Sequence, residues 1–295
     1  MPFTLSHAAA MPPAIRRDGT GRGPLVPAVL VAGSFAPDTT FYAANVLPGG
    51  MEFGAVTHAF AGVVTVDVLI AWALVGLWLL VREPLLALLP PSRQGRPAAL
   101  LRCGATRARV RAAEAGWWYV SAVLGGLTHV VWDAFTHDGR WGTRLVPAVE
   151  RDRPMGVPLF SWLQYGSSVA GAAVLAVFAA RALRRLPAGA PVGVPALSAR
   201  DRWRAMAVIG GCAVAGAVQR VAREWPGGGA SARVWELVPA LCFGAGAGLV
   251  PGLLLYAGGV RVLRRGPAPD GPGGPGGPGG PGEAVSAGRE RPAAR

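Results

Sequence analysis

The sequence predicts an all-α protein, a polytopic transmembrane helical bundle of about five to six spans. Hydrophobic residues make up 52% of the chain and charged residues 15%, whereas an ordinary soluble domain carries about 25% charged residues. The mean hydropathy is +0.37, and long apolar runs alternate with short arginine-rich segments. Residues 1–265 are therefore predicted to form an integral membrane helical domain. Residues 266–295, a GPGG repeat with a charged end, predict a disordered tail.

The predicted spans follow one another from residue 25 to residue 260. The first apolar segment, 25–38, is shorter than the roughly 20 residues that cross a bilayer. It predicts a half-helix, a re-entrant segment or a short helix packed against the others. The convincing spans are 58–81, 117–137, 159–181, 204–221 and 234–260. The GAGAG run at 244–248 predicts close helix packing within the last span.

The distribution of basic residues predicts the orientation in the membrane. All 29 basic residues are arginine, and they lie in short blocks between the apolar runs. The positive-inside rule then places the loop 82–116, the linker 182–203 and the C-terminal tail in the cytoplasm. The loops 138–158 and 222–233 face the other side. Consequently His58 and His137 are predicted to share one membrane depth at the outer edge.

The arginine content is not taken as a sign of nucleic-acid binding. The many Gly, Pro and Ala residues indicate a GC-rich coding bias, which favours arginine throughout the chain. The basic blocks are explained better by membrane orientation. We therefore expect the lipid bilayer, and no nucleic acid, as the partner of this chain.

The stretch 128–137, THVVWDAFTH, contains the ionisable residues that are most indicative of function. It places His129, Asp133 and His137 at i, i+4 and i+8, which share one face of a helix. The other two histidines of the chain, His7 and His58, lie at the edges of apolar segments. Ionisable groups inside a membrane segment are costly and usually functional.

These groups predict a metal site, because imidazole and carboxylate together suit Zn²⁺, with manganese or iron as second choices. The candidate ligands are His7, Asp38, His58, His129, Asp133 and His137. Asp38 and Asp133 are also the candidate catalytic acid–base groups. Asp67 is expected to lie too deep for the same ion, about 13 Å along a helix from His58. The alternative is structural: the His and Asp side chains hydrogen-bond each other or the backbone.

A second polar stretch, LQYGSS at 163–168, opens the third convincing span. Gln164, Tyr165, Ser167 and Ser168 either line a substrate pocket or hydrogen-bond to neighbouring helices. The second interpretation is favoured, because small polar residues commonly join helices in membranes. No GxSxG sequence and no phosphate-binding glycine loop is present.

Five sequence segments resemble an uncharacterised family of bacterial multi-pass membrane proteins, a domain of unknown function. They are MPFTLSHAAA, AGSFAPD, THAF, LTHVVWDAFTH and LQYGSS, within residues 1–180. That family is in turn similar to the inner-membrane metal-dependent hydrolases. The resemblance implies His7, Asp38, His58, His129 and Asp133 as metal-site residues. It implies either that the N-terminus folds back to the site or that the topology of residues 1–57 differs from the simple count of spans. Thr40 stands where the relatives often have a second acid.

We therefore expect a membrane-embedded metal-dependent hydrolase at the membrane interface, in the inner (plasma) membrane, acting on a phospholipid or another phosphoester. Its cofactor would be Zn²⁺ or another divalent transition metal, with Arg140 and Arg144 available to hold a phosphate. The alternative is a non-enzymatic membrane protein, either an ion or proton carrier or a structural protein with buried His–Asp contacts. A transporter should show internal repeats, and the sequence contains no convincing one.

Overall fold

The computed structural model describes residues 4–103, 112–189, 191–225 and 234–263. The α-helices are α1 (Pro27–Phe35), α2 (Thr39–Ala43), α3 (Gly50–Thr57), α4 (Phe60–Val63), α5 (Val66–Ala87), α6 (Gly95–Cys103), α7 (Ala112–Thr136), α8 (Trp141–Leu145), α9 (Pro147–Arg151), α10 (Leu159–Arg185), α11 (Ala199–Glu224) and α12 (Val234–Leu263). Short 3-10 helices cover Thr4–Ala10, Pro12–Ala14, Pro91–Arg93 and Pro154–Gly156. Within these ranges there is no strand, so the predicted all-α class is confirmed. The predicted tail lies outside the described residues.

Four helices are long and apolar enough to cross a membrane: α5, α10, α11 and the part of α12 from Leu237 to Val262. The prediction of a transmembrane bundle is therefore confirmed. The helix α7 agrees closely with the predicted span 117–137, but it is not one of these four. Its polar residues, among them His129 and Asp133, lower the mean hydropathy of the helix.

The predicted span 58–81 is shifted along the chain. The helix α5 begins at Val66 and continues to Ala87. Residues 58–65 instead form the cap of α3, the single turn α4 and a break at Thr65, whose φ of −126° and ψ of −84° are not helical. The apolar run is continuous in sequence, so hydropathy alone placed the start of the helix too early.

The short apolar segment 25–38 contains a nine-residue helix, α1, packed between α5 and α7. Pro27 occupies its first turn, where the missing N–H has no helical partner to lose. The buried core that joins the three helices consists of Val29, Ala32, Ala36, Val68, Ala71, Val75 and Ala122. Of the three predicted alternatives, the structure shows the short packed helix.

Two glycines let α1 and α7 approach backbone to backbone. A Cβ atom at Gly125 would overlap the carbonyl oxygen of Leu30 and lie 2.7 Å from the Ser34 nitrogen. A Cβ atom at Gly33 would overlap the carbonyl oxygen of Ala122. This close approach brings the backbone of α1 beside the polar face of α7.

We expect Gly125→Ala to destabilise the protein by about 1–3 kcal/mol or more, because the added methyl group must push two helix backbones apart. Gly116→Ala is the matched control on the same helix, since a Cβ atom there meets nothing within 4 Å. That control should gain about 0.5–1 kcal/mol from helix propensity. Thermal unfolding in detergent measures both, and equal midpoints would contradict the close packing.

The last two helices, α11 and α12, form an antiparallel pair that packs against the rest of the bundle. Gly244 and Gly248 of α12 face Gly216 and Cys212 of α11 so closely that added Cβ atoms would overlap backbone atoms. The close packing predicted for the GAGAG run is thus confirmed. The Tyr256 hydroxyl donates a hydrogen bond of 2.7 Å to the carbonyl oxygen of Pro84, which ties α12 to α5.

Candidate metal centre

The N-terminal segment folds into the bundle. Its 3-10 helix, Thr4–Ala10, packs against α10, α1 and α7, and the Ser6 hydroxyl donates a hydrogen bond of 3.0 Å to the carbonyl oxygen of Ser168. As a result His7 is only 3% exposed. The segment Thr4–Ala10 therefore reaches the polar face of α7, which is the first of the two alternatives that the family resemblance implies.

Two short helices, α2 and α3, bring Asp38 and His58 to the polar face of α7. Asp38 precedes α2 and His58 caps the C-terminus of α3, and both side chains are buried. The Thr57 hydroxyl donates a hydrogen bond of 2.8 Å to the carbonyl oxygen of Pro37, which joins the two turns beside their polar groups. The turn at the end of the GSFAPD segment, residues 33–38, therefore lies against Thr57 and His58.

The helix α7 completes the cluster with His129 and Asp133, one turn apart on its buried face. One ligand atom from each of Asp38, His58, His129 and Asp133 lies within 4.8 Å of the others. All four residues are buried. This group could hold a metal ion.

The distances within the cluster fit ligands around one ion. His129 Nε2 lies 3.3 Å from Asp133 Oδ2 and 3.4 Å from Asp38 Oδ1. His58 Nε2 lies 3.5 Å from Asp38 Oδ1 and 3.7 Å from Asp133 Oδ2. Direct N–H···O hydrogen bonds are usually about 2.7–3.2 Å long. Bonds of about 2.0–2.1 Å to a tetrahedral zinc separate neighbouring ligand atoms by roughly 3.3–3.4 Å.

Backbone carbonyls orient both imidazoles of the cluster. His129 Nδ1 lies 2.7 Å from the carbonyl oxygen of Ser34, and His58 Nδ1 lies 3.0 Å from the carbonyl oxygen of Gly54. A carbonyl can only accept, so each Nδ1 carries a hydrogen and each Nε2 faces the carboxylates of the cluster. Metal-binding histidines are commonly held in this way. His129 Nε2 has no hydrogen-bond partner among the described residues.

The carboxylate of Asp38 is held from its other side. The Thr4 hydroxyl donates a hydrogen bond of 2.5 Å to Asp38 Oδ2, and the Tyr42 hydroxyl donates one of 2.8 Å to Thr4. Burial raises the pKa of Asp38, but the neighbouring His129 and His58 outweigh it and hold that pKa well below its usual value. The carboxyl is therefore ionised, the form that binds a cation.

His7 lies at the edge of this group as a further nitrogen donor. Its Nε2 is 3.4 Å from Asp133 Oδ1, and its ring stacks on that of His129 with centroids 3.6 Å apart. Burial, and next the nearby His129, hold the pKa of His7 well below its usual value. Its Nε2 has no hydrogen-bond partner within the described part of the chain. A neutral imidazole with an unused nitrogen is suited to bind a metal.

His137 lies at the rim of the cluster. Its side chain is 34% exposed, and its Nδ1 is 3.6 Å from Asp133 Oδ2. The Gln164 amide lies 2.9 Å from His137 Nε2, so that nitrogen faces α10. Both His58 and His137 thus reach the same carboxylate, which agrees with the shared depth predicted from topology.

The LQYGSS stretch makes the cross-helix hydrogen bonds that the sequence favoured. Trp132 Nε1 donates a hydrogen bond of 3.2 Å to Ser167 Oγ. Gln164 meets His137, and the backbone of Ser168 accepts from Ser6. These bonds fix α10 against α7 and the N-terminal segment.

Asp67 does not belong to the four-residue cluster. It is 1% exposed, and neither of its oxygens has a hydrogen-bond partner among the described residues. The sequence prediction excluded it by assuming one continuous helix from His58. That premise is wrong, because the chain turns twice before α5 begins.

Three groups of the site were not among the residues singled out from the sequence. Thr4, Tyr42 and the carbonyl of Ser34 act on the cluster only through the tertiary fold. Thr4 lies in the MPFTLSH segment, three residues before the candidate ligand His7, and this proximity was the one available signal in the sequence. The carbonyl of Ser34 belongs to the backbone, so no residue type in the sequence indicates its role.

Comparison with known proteins assigns a family without assigning an activity. The sequence model of a family described as a domain of unknown function (DUF4184) matches residues 1–258. The match thus extends beyond residue 180, where the resemblance of the individual segments ends. None of the curated proteins and none of the solved structures matches the chain.

Proposed function

The chain belongs to the DUF4184 family, and we propose that it is a membrane-embedded metal-dependent hydrolase acting at the membrane interface. The observation that carries this proposal is the spacing of 3.3–3.7 Å between two imidazole nitrogens and two carboxylates, all buried. The Nε2 atoms of His7 and His129 have no hydrogen-bond partner among the described residues, and buried polar atoms of this kind are costly unless another group satisfies them. A divalent cation satisfies all four groups at once.

The proposed ligands are Asp38, His58, His129 and Asp133, with His7 as a further donor and His137 at the rim. Two nitrogen and two oxygen ligands suit zinc, and manganese or iron next. Such an ion lowers the pKa of a bound water toward neutrality and so supplies hydroxide. Asp133 and Asp38 are the proposed acid–base groups, because they are the two carboxylates of the cluster.

The proposed substrate is a phospholipid or another phosphoester. The helices that surround the cluster belong to a membrane protein, and the positive-inside rule favours the outer side of the plasma membrane as the location of the cluster. Arg140 and Arg144 follow His137 directly in the chain, at the start and within α8. We propose that one of them contacts the phosphate of the substrate.

Metal analysis of the purified protein tests the proposal. Protein prepared in detergent without chelator should carry about one zinc-class ion per chain, and a fluorogenic phosphodiester or phospholipid should be hydrolysed only by the loaded form. A chelator should remove both the ion and the activity, and added Zn²⁺ should restore them. A metal-free wild-type protein would contradict the proposal and favour a non-enzymatic role for the His–Asp contacts.

A further inference from the structure

A separate cavity of about 490 Å³ lies at the start of α10. Its lining includes Arg153, Val157, Pro158, Phe160, Trp162 and Tyr165. Because α10 is long and apolar enough to cross the membrane, the cavity lies at one end of a span. Trp and Tyr are enriched at that level of a membrane, where an aromatic ring contacts lipid and its polar atom reaches water.

The wall of the cavity is mostly apolar, and its volume is in the range of small-molecule sites. Only 17% of the apolar segment of α10 is buried inside the protein, so the cavity belongs to a helix that largely faces lipid. Val157, Phe160 and Trp162 supply the apolar surface. A molecule that enters from the bilayer can therefore lay a hydrocarbon part against these side chains.

Among the described residues, Arg153 is the only charged one that lines the cavity. Its side chain is exposed and makes no hydrogen bond or ion pair with the described residues. A guanidinium presents a planar fork of N–H donors that matches the oxygens of a phosphate. The cavity thus combines one free phosphate-binding group with an apolar wall.

The turn between Arg153 and α10 is held in place by the chain itself. Trp162 Nε1 donates a hydrogen bond of 3.2 Å to the carbonyl oxygen of Pro154. Met155 and Gly156 both have positive φ, at 53° and 79°, which folds the turn back on itself. For Met155 this conformation is uncommon, and the Trp162 bond fixes the turn on α10.

We propose that this cavity binds an anionic phospholipid, with the phosphate on Arg153 and the glycerol and acyl parts along Phe160 and Trp162. The inference stands independently of hydrolysis. Ser161 and Tyr165, one helical turn apart, line the cavity, whereas Gln164 on the adjacent face contacts His137 at the rim of the metal centre. A bound lipid therefore lies beside the rim of that centre.

Binding of fluorescent phosphatidylglycerol to the full-length protein in detergent, followed by anisotropy, tests this proposal. The wild-type protein should bind phosphatidylglycerol several-fold more tightly than phosphatidylcholine. Arg153→Ala should weaken the binding about tenfold, since hydrogen bonds to a charged group are lost. Arg151→Ala is the matched control, because Arg151 is exposed, close in sequence and outside the cavity. Equal affinities of the two variants would overturn the proposal.

A second variant tests the cavity itself while Arg153 stays in place. Ser161→Leu should fill the space at the start of α10 and weaken phosphatidylglycerol binding, and unchanged binding would overturn the proposal. Glycerol 3-phosphate should compete poorly, whereas competition as strong as that of the lipid would show that the acyl part is not recognised. Both variants should keep the metal content of the wild type, so failure here is distinguishable from failure of the metal centre.

Discussion

Asp133→Ala is expected to abolish metal binding. The Asp133 carboxylate lies 3.3 Å from His129 and 3.7 Å from His58 through Oδ2, and 3.4 Å from His7 through Oδ1. It is thus the group that most of the cluster shares. Loss of a residue that hydrogen-bonds to a metal ligand typically lowers metal affinity by about 10–100-fold. Loss of a ligand itself should therefore lower the metal affinity by more than about 100-fold. Competition with a chelator of known zinc affinity measures the change.

Two companion variants make this result specific. Asp138→Ala removes a nearby carboxylate that is exposed, and its affinity should equal that of the wild type. Asp133→Asn keeps the shape of the side chain but removes its charge and replaces one acceptor oxygen by an NH2 donor. It should fold with a near-normal unfolding midpoint and still bind metal poorly. If Asp133→Asn and Asp138→Ala bind zinc equally well, the cluster is a hydrogen-bonded structural contact and the metal proposal is wrong.

The parts of the fold that follow from local sequence could be predicted. Long apolar runs gave the helices α7, α10, α11 and α12, because hydropathy and length depend only on neighbouring residues. The i, i+4 spacing placed His129 and Asp133 on one face of α7 for the same reason. Topology then brought His58 to the same end of the bundle, since charged loops fix the direction of each span.

The remainder depends on contacts between distant segments. Nothing local distinguishes residues 58–65 from a helix, so the break at Thr65 was missed. The contact of Gly125 with α1 depends on backbone packing, and the hydrogen bond from Thr4 to Asp38 joins segments 34 residues apart. These contacts decide how the ligands are oriented, which is why the sequence could name candidate ligands without their geometry.

The C-terminal end of α11 shows the same dependence and leads to a second prediction of large effect. Arg220 is buried, and its Nη1 donates hydrogen bonds to the carbonyl oxygen of Phe41 at 3.3 Å and to Asn45 Oδ1 at 3.2 Å. Its Nε also donates to Glu224. The ring of Phe41 stacks on that of His58, with centroids 5.3 Å apart. Arg220 therefore holds the segment that connects two candidate ligands, Asp38 and His58.

Arg220→Leu is expected to destabilise the protein by about 2–4 kcal/mol, because buried partners of the guanidinium lose their hydrogen bonds. The loss stays below the roughly 5 kcal/mol that breaking a fully buried ion pair can cost, since the side chain of Glu224 is 35% exposed and water can replace part of its interaction. Zinc affinity should fall as well, by up to about tenfold, because the backbone that carries Phe41 loosens beside His58. Thermal unfolding and chelator competition measure the two effects.

The exposed pair of Arg204 and Asp201 on the same helix provides the control. Its side chains are 68% and 49% exposed, so water screens their attraction and Arg204→Leu should change neither the unfolding midpoint nor the zinc affinity appreciably. A loss of stability in Arg220→Leu with unchanged zinc affinity would mean that α11 supports the bundle without positioning His58. Loss of both would link the C-terminal helix pair to the metal centre, although no candidate ligand lies on α11 or α12.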